Sequence, residues 1–129
     1  MFEVVSTPLQ TSFPTSNAVR AGRLILTTQI PRDPETHEVL VGDDIVGQVR
    51  RCFENLRLAL EASGGDLKDV MQMTVYLTDV EHGVAMNQVY NEMFSAPFPS
   101  RATVVVKALM LPGLLVEVTA QAWLDSHVV

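Results

Sequence analysis

The sequence predicts an α+β domain in which one β-sheet carries two helices on one face. Two stripes of apolar residues at three- and four-residue spacing predict the helices. Short β-branched and apolar runs around them predict the strands. The resulting order is strand, hairpin, helix, strand, helix, strand, strand, which is typical of α+β architecture. No repeat or internal linker interrupts this order, so residues 1–129 are expected to form a single domain.

A hairpin and an amphipathic helix are expected in the first half. Residues 17–30 contain two half-apolar segments around Gly22, which supplies the backbone angles of a tight turn. Residues 31–42 form a loop with two prolines, and the aspartates at 43 and 44 can cap the helix that begins there. The glycines at 64 and 65 end it. Its apolar stripe consists of Ile45, Val49, Cys52, Phe53, Leu56 and Leu60.

Residues 70–77 return to strand composition and open the second half. The threonine and aspartate at 78 and 79 can cap a second helix, and Pro97 ends it. Residues 103–106 and 114–118 are again β-branched and apolar, and the Pro-Gly pair at 112–113 indicates a turn. We therefore expect the last two strands to be adjacent. The stripe of the second helix is Val84, Met86, Val89, Tyr90, Met93 and Phe94.

Composition and charge exclude several classes of protein. A formal charge of −6 with nine Lys+Arg argues against a nucleic-acid surface, which needs clustered positive charge. We see no signal-peptide pattern and no apolar run near the roughly 20 residues of a membrane span, so a soluble, cytoplasmic protein is expected. Cys52 lies on an apolar stripe and is expected to be a buried structural thiol. The scattered His37, His82 and His127 predict no metal site.

The number of layers predicts self-association. Two helices can cover only one face of a sheet of five or six strands. Both sets of alternating residues in the last two strands are nevertheless largely apolar, with Val104 and Val106 in one set and Val105 and Trp123 in the other. A monomer would leave a large apolar patch in water. We therefore expect a homo-oligomer that buries the second face, with a charged site between its subunits.

One arginine and one glutamate, Arg101 and Glu117, lie inside the last apolar strand segments. Burial of a charge is costly unless it is paired, so both suggest a site. Alternation places Thr103 on the face of Arg101 and Thr119 on the face of Glu117, and adjacent strands would allow the two charges to be neighbours. They either bind a carboxylate or only fix strand register or a subunit contact. Asn87 either contacts another segment or is solvated.

Longer segments resemble a known family over roughly residues 12 to 123. They include TTQIPRDPETHEV, CFENLRLALEASGGDLKDVMQMTVYLTDV, MNQVYNEMF, PFPSRATVVV and LLVEVTAQAW. The chain resembles the reactive-intermediate deaminase family, also called RidA or YjgF and often labelled endoribonuclease L-PSP. The most specific matches are P-x-R at 99–101, V-E-V at 116–118 and N-x-x-Y-x-x-x-F at 87–94. The resemblance implies a chorismate-mutase-like fold with a mixed sheet, assembled as a homotrimer with ligand sites between subunits.

The resemblance also implies an enzyme that needs no cofactor. Family members hydrolyse enamines and imines derived from 2-aminoacrylate to 2-keto acids and ammonia, so a 2-iminobutanoate/2-iminopropanoate deaminase-type hydrolase is expected. Arg101 would bind the substrate carboxylate, and Glu117 would position or deprotonate the attacking water. The backbone at Thr103 would help to hold that water or the imine nitrogen. The remaining substrate-binding residues expected at the site are Thr15, Thr28 and Asn87.

The chain departs from the family at its first motif. Residues 13–18 read FPTSNA where members read G-P-Y-S-Q-A, so Thr15 replaces a tyrosine, and TTQ at 27–29 replaces S-G-Q. Both changes alter the pocket and leave the substrate open. One alternative is a hydrolase for a larger aminoacrylate- or aminomuconate-type compound, and another is a trimer that binds small carboxylates without catalysis. The acidic sequence gives the endoribonuclease label no support.

Overall fold

The computed structural model describes residues 1–125, so His127 lies outside the described residues. In this part of the chain, six strands form one mixed sheet in the order β1-β2-β3-β6-β4-β5. Only β4 and β5 pair in parallel among these strands. No helix among residues 1–125 has both the length and the apolar character needed to cross a membrane. The elements are β1 (Glu3–Val4), β2 (Ala18–Ala21), β3 (Leu24–Gln29), α1 (Ile45–Ala62), β4 (Val70–Leu77), α2 (Gly83–Met93), β5 (Ser100–Val105) and β6 (Val116–Trp123).

The predicted hairpin and first helix are confirmed. β2 and β3 pair in antiparallel fashion, and Gly22 has a φ of +58° at their turn. The Asp44 side chain accepts a hydrogen bond of 2.9 Å from the Gly47 amide and so caps α1. Gly64, with a φ of +92°, follows the end of the helix. Aspartate supplies an acceptor for the free amides of the first turn, and glycine adopts the left-handed angle without strain.

Both helices pack on one face of the sheet and share a core with it. α1 contributes Phe53 and Leu56, which are fully buried together with Val75 of β4 and Val118 of β6. The ring of Phe53 meets that of Phe94, just after α2, edge to face with centroids 5.4 Å apart. Burial of each large apolar side chain stabilises the fold by about 1.5–3 kcal/mol. These contacts fix both helices over the central strands.

The expected pairing of the last two strands is wrong, because β4 lies between β5 and β6. Parallel strands need a crossover, and α2 supplies it between β4 and β5. The turn at Gly113 exists, with a φ of +80°, but it belongs to a longer connection from β5 to β6. Buried Gln48 of α1 holds that connection, since its amide donates to the Gly113 carbonyl and accepts from the Leu115 amide, both at 2.9 Å.

The face of the sheet without helices is more polar than we expected. Glu117, Thr119 and Gln121 of β6 point to this face, because the residues between them are buried under the helices. Val105 shares the helix side of β5, yet it is 52% exposed because β5 is an edge strand. Exposed apolar side chains on the open face include Leu26, Val104 and Trp123. The homo-oligomer inferred from an apolar second face stays a prediction.

Candidate functional site

Arg101 lies on the helix side of the sheet, where β5 brings it against α2. Its Nη2 donates a hydrogen bond of 2.8 Å to Oδ1 of Asn87. Its Cζ lies 4.2 Å from the centroid of the Tyr90 ring, a cation–π geometry. Neither of the two ion pairs found within residues 1–125 involves Arg101. The guanidinium is therefore held by neutral groups and keeps an uncompensated positive charge.

An aromatic wall stands beside this arginine. The Tyr90 ring stacks on Phe98 with a centroid distance of 5.9 Å, and Phe98 is 54% exposed. Burial raises the pKa of the Tyr90 hydroxyl above its ordinary value, although nearby Arg101 opposes this shift. The hydroxyl is therefore neutral at physiological pH. We call this depression the arginine site; its lining residues are Asn87, Tyr90, Asn91, Phe98, Pro99 and Arg101.

Glu117 lines a separate cavity of about 190 Å³ between the N-terminal segment and the β3–β6 part of the sheet. Burial raises the pKa of its carboxyl above the ordinary value. No ion pair within residues 1–125 includes Glu117. A carboxylate in this setting is a stronger base than a solvated one. We call this the glutamate cavity; it is lined by Leu9, Thr11, Phe13, Thr15, Ser16, Asn17, Thr28, Gln29, Ile30, Arg32 and Glu117.

A small amide network fixes the wall of the glutamate cavity. Asn17 donates from Nδ2 to Oε1 of Gln29 at 2.9 Å, and Gln29 donates from Nε2 to Oδ1 of Asn17 at 3.0 Å. Gln29 also donates to Oγ1 of Thr27 at 2.8 Å and is almost fully buried. Buried polar groups that are fully hydrogen-bonded rigidify their surroundings. The network therefore attaches the segment that carries Thr15 to β3.

The predicted site residues fall into two separate groups. Arg101 and Thr103 lie on one face of β5, and Arg101 is in register with the buried Met73 of β4. Glu117 pairs with Tyr76, which belongs to the opposite set of β4 residues. The expectation that Arg101 and Glu117 are neighbours is therefore wrong within one chain, because β4 separates them and they face opposite ways. The arginine site contains Arg101 and Asn87, and the glutamate cavity contains Glu117, Thr15 and Thr28.

Thr103 lines neither the arginine site nor the glutamate cavity. It lies two residues beyond Arg101 on the edge strand and is exposed. Cys52 is fully buried, as its stripe predicted, and burial raises the pKa of its thiol far above the ordinary value. It therefore does not supply a thiolate nucleophile. Among residues 1–125, no group of three His, Cys, Asp or Glu side chains could hold a metal ion.

Arg32 and Phe13 are among the residues of the glutamate cavity that the sequence did not identify as site residues. Arg32 lies in the loop with two prolines, where no periodicity indicates which side chains point inward. Phe13, the first residue of the FPTSNA segment, forms part of the cavity wall and is 63% exposed. An arginine and an exposed phenylalanine in loops are the signals that could have suggested a ligand contact.

This chain is similar in sequence and in fold to known proteins. The sequence profile of a family described as Endoribonuclease L-PSP matches residues 6–124. A RutC family protein of Pyrococcus horikoshii is 42% identical over 85% of this chain and 86% of its own. A 2-iminobutanoate/2-iminopropanoate deaminase of Dermatophagoides farinae is 35% identical over 82% and 84%. The crystal structure of RidA from an Antarctic Psychrobacter species is 32% identical, covers 95% of this chain and 99% of its own, and superposes with a TM-score of 0.87.

Proposed function

The chain belongs to the endoribonuclease L-PSP family, which includes RidA and RutC proteins, and on that premise we propose that it is a hydrolytic deaminase of small 2-imino carboxylates. Substrates of the 2-iminobutanoate and 2-iminopropanoate type would give 2-keto acids and ammonia. The observation that carries this proposal is the uncompensated guanidinium of Arg101, which Asn87 and Tyr90 hold in place. The reaction as proposed uses water and no cofactor.

Arg101 binds the substrate carboxylate in this proposal. Its planar fork matches two carboxylate oxygens and gives stronger hydrogen bonds than a neutral donor. The contact with Oδ1 of Asn87 sets the orientation of the guanidinium, and the Tyr90 ring supports it from one face. Phe98 adds apolar surface to the lining of the depression beside this contact.

Glu117 acts as the general base. It takes a proton from water while the water oxygen forms a bond to the electrophilic imine carbon. The same proton then passes to the imine nitrogen, which gives a neutral carbinolamine. Glu117 next takes the hydroxyl proton and gives it to the amino nitrogen, so that the carbon–nitrogen bond breaks with loss of ammonia as the carbonyl forms. Ammonia and the 2-keto acid are the products, and the carboxylate is regenerated. The raised pKa of Glu117 brings the base closer to the working pH of the reaction.

A homotrimer would bring the two halves of this site together. Arg101 and Glu117 face opposite sides of the sheet, so one small substrate does not reach both within one chain. A contact between the arginine site of one subunit and the glutamate cavity of the next joins two different surfaces. Such a heterologous contact closes into a ring when the rotation between subunits permits it. We propose a ring of three subunits, as the resemblance implies.

Release of ammonia tests the proposal directly. A pyridoxal-phosphate-dependent dehydratase acting on threonine or serine generates 2-iminobutanoate or 2-iminopropanoate in the assay. The protein should accelerate formation of ammonia and 2-keto acid above the spontaneous rate. An unchanged rate would contradict the proposal. Calorimetric binding of 2-oxobutanoate without acceleration would instead support a carboxylate-binding protein that is not an enzyme.

A further inference from the structure

Arg32 places a positive charge at the glutamate cavity, apart from the arginine site that contains Arg101. It lines the same cavity as Glu117. Its Nη1 donates a hydrogen bond of 2.6 Å to the carbonyl of His37, and no other hydrogen bond of its guanidinium is found within residues 1–125. Neither ion pair of this part of the chain includes Arg32. Four of the five N–H groups of the guanidinium thus make no hydrogen bond within residues 1–125.

Arg32 and Glu117 occupy different positions in the cavity. A guanidinium in contact with a carboxylate lowers the pKa of that carboxylate. The pKa of Glu117 is raised by burial, and no cation opposes the shift. The two residues line one cavity without forming an ion pair. The side chains of Arg32 and Glu117 are therefore not in contact with each other.

The backbone that carries Arg32 is held by a buried side chain. Asn55 of α1 donates from Nδ2 to the carbonyls of Ile30 at 3.0 Å and Arg32 at 2.8 Å. Its Oδ1 accepts a hydrogen bond of 3.0 Å from Nε of Arg51. Arg32 also forms a bridge with Val39 across the loop. These contacts position Arg32 more firmly than a loop arginine without partners.

We propose that Arg32 binds a second anionic group of the substrate, so that the preferred substrates are dicarboxylic 2-imino acids. This inference rests on the proposed deaminase function. With the first carboxylate on Arg101 and the imine carbon at Glu117, the rest of the substrate extends into the cavity. A second carboxylate at the far end supplies the counter-charge that Arg32 lacks, and partly buried cations favour such pairing.

Apolar side chains form part of the wall of the glutamate cavity. Leu9, Phe13 and Ile30 contribute to it. They suit the methylene groups of a short dicarboxylic acid. A monocarboxylic substrate with an ethyl or methyl group would leave Arg32 without an anion. The simplest substrates of this class are the imines formed by oxidation of aspartate and glutamate.

Two variants of Arg32 separate this role from attachment of the loop. Arg32→Gln removes the charge and keeps an N–H donor for the His37 carbonyl, while Arg32→Lys keeps the charge. We expect wild type to prefer the imines of aspartate or glutamate over 2-iminobutanoate in kcat/KM. Arg32→Gln should lose about 10- to 100-fold toward the dicarboxylic imines and less than about threefold toward 2-iminobutanoate, with partial rescue by Arg32→Lys. The matched control is Arg57→Ala, because Arg57 is a partly exposed arginine that pairs with Glu54. This variant should change the kcat/KM of neither substrate class.

Equal losses on both substrates in Arg32→Gln would make Arg32 a loop anchor and overturn the inference. So would a wild type that turns over 2-iminobutanoate without preferring the dicarboxylic imines. If wild type accelerates hydrolysis of neither imine, the proposed function fails, and binding then decides the inference separately. Calorimetry should show 2-oxoglutarate bound more tightly than 2-oxobutanoate, with the difference lost in Arg32→Gln. Equal affinities in wild type would overturn it.

Discussion

Arg101 and Glu117 lie on opposite faces of the same sheet, with β4 between their strands. Arg101 is in register with Met73, whose side chain is in the core, whereas Glu117 is in register with Tyr76 of the other set. The proposed anion anchor and the proposed base are therefore separated within one chain. A reaction that uses both on one small substrate requires two chains.

Replacement of Arg101 should remove carboxylate binding and leave the fold intact. Its side chain is only partly buried and contacts Asn87 and the sulfur of Met86 on α2, so truncation uncovers part of Met86 but removes no core side chain. Arg101→Ala should lower kcat/KM by about 10²-fold or more, since loss of one partner of a charged contact costs about 2–5 kcal/mol. Arg101→Lys should rescue little, because a point charge does not reproduce the fork.

Arg50→Ala is the control for this change. Arg50 is exposed on α1 and pairs with Glu92 at 2.8 Å, away from both candidate half-sites. It should retain full activity. If Arg101→Ala keeps most of its activity in the ammonia assay, the carboxylate-anchor model is wrong. Loss of folding in Arg101→Ala, seen by circular dichroism, would favour a structural role.

Glu117→Gln should bind 2-oxobutanoate normally and turn over slowly. The amide keeps the shape of the side chain but does not take a proton, so kcat should fall by about 10²- to 10⁴-fold. In wild type, kcat should rise with pH along an acidic limb centred above about 4.3, the ordinary glutamate pKa, because burial raises the pKa of Glu117. The limb should be missing from any residual activity of the variant. Unchanged turnover would leave Glu117 a structural role.

Stability should respond to the same substitution in a pH-dependent way. Burial raises the folded-state pKa of Glu117 above its unfolded-state value, so ionisation of Glu117 destabilises the native state. This destabilisation is fully present above the folded-state pKa. It decreases as the pH falls and is lost below the unfolded-state pKa. Glu117→Gln should therefore raise the free energy of unfolding relative to wild type more at about pH 8 than at about pH 4. Denaturant titrations at the two pH values measure the difference. A difference that is equal at both would contradict the assigned burial cost.

Local sequence patterns were sufficient for α1 and for most strands, whereas α2 begins at Gly83, later than predicted, because Asp79 caps a short 3-10 turn before it. The stripe of α1, the Asp44 cap and Gly64 define that helix, and residues 70–77 coincide with β4. The pairing of β5 and β6 was not predictable in the same way. A Pro-Gly turn between two apolar runs indicates a hairpin, but the position of β4 between them depends on the crossover through α2. Nonlocal pairing of this kind leaves no periodic signal.

The candidate site was predicted in part for a related reason. The sequence predicted Arg101 and Glu117 as site residues because burial of an unpaired charge inside an apolar strand is costly. Their separation depends on the sheet order. The expected pairing of β5 with β6 would have placed the two residues side by side, but β4 lies between these strands. Arg32 gave no such signal, since a charge in a polar loop is ordinary. Only the fold shows that buried Asn55 holds its backbone beside the glutamate cavity.

Val105→Asp should dissociate the assembly into folded monomers. Val105 lies on the edge strand beside Thr103 and is 52% exposed in the protomer, so a carboxylate there is solvated in the monomer. In a subunit contact it would be buried without a partner, at a cost of about 2–7 kcal/mol. Light scattering should report monomers for this variant and trimers for Val46→Asp, an exposed position on α1. A fully soluble trimeric Val105→Asp would show that this edge is not the contact.

Mixing two inactive variants should restore activity if the site lies between subunits. Arg101→Ala keeps an intact glutamate cavity, and Glu117→Gln keeps an intact arginine site. In a ring with one site at each contact, equal amounts of the two variants assembled at random should give about a quarter of the wild-type sites, each formed by the intact halves of neighbouring chains. The ammonia assay on protein co-expressed or refolded together measures this recovery, and each variant alone is the control. Recovery near zero in verified mixed oligomers would mean that both halves act within one chain, and the proposed arrangement would be wrong.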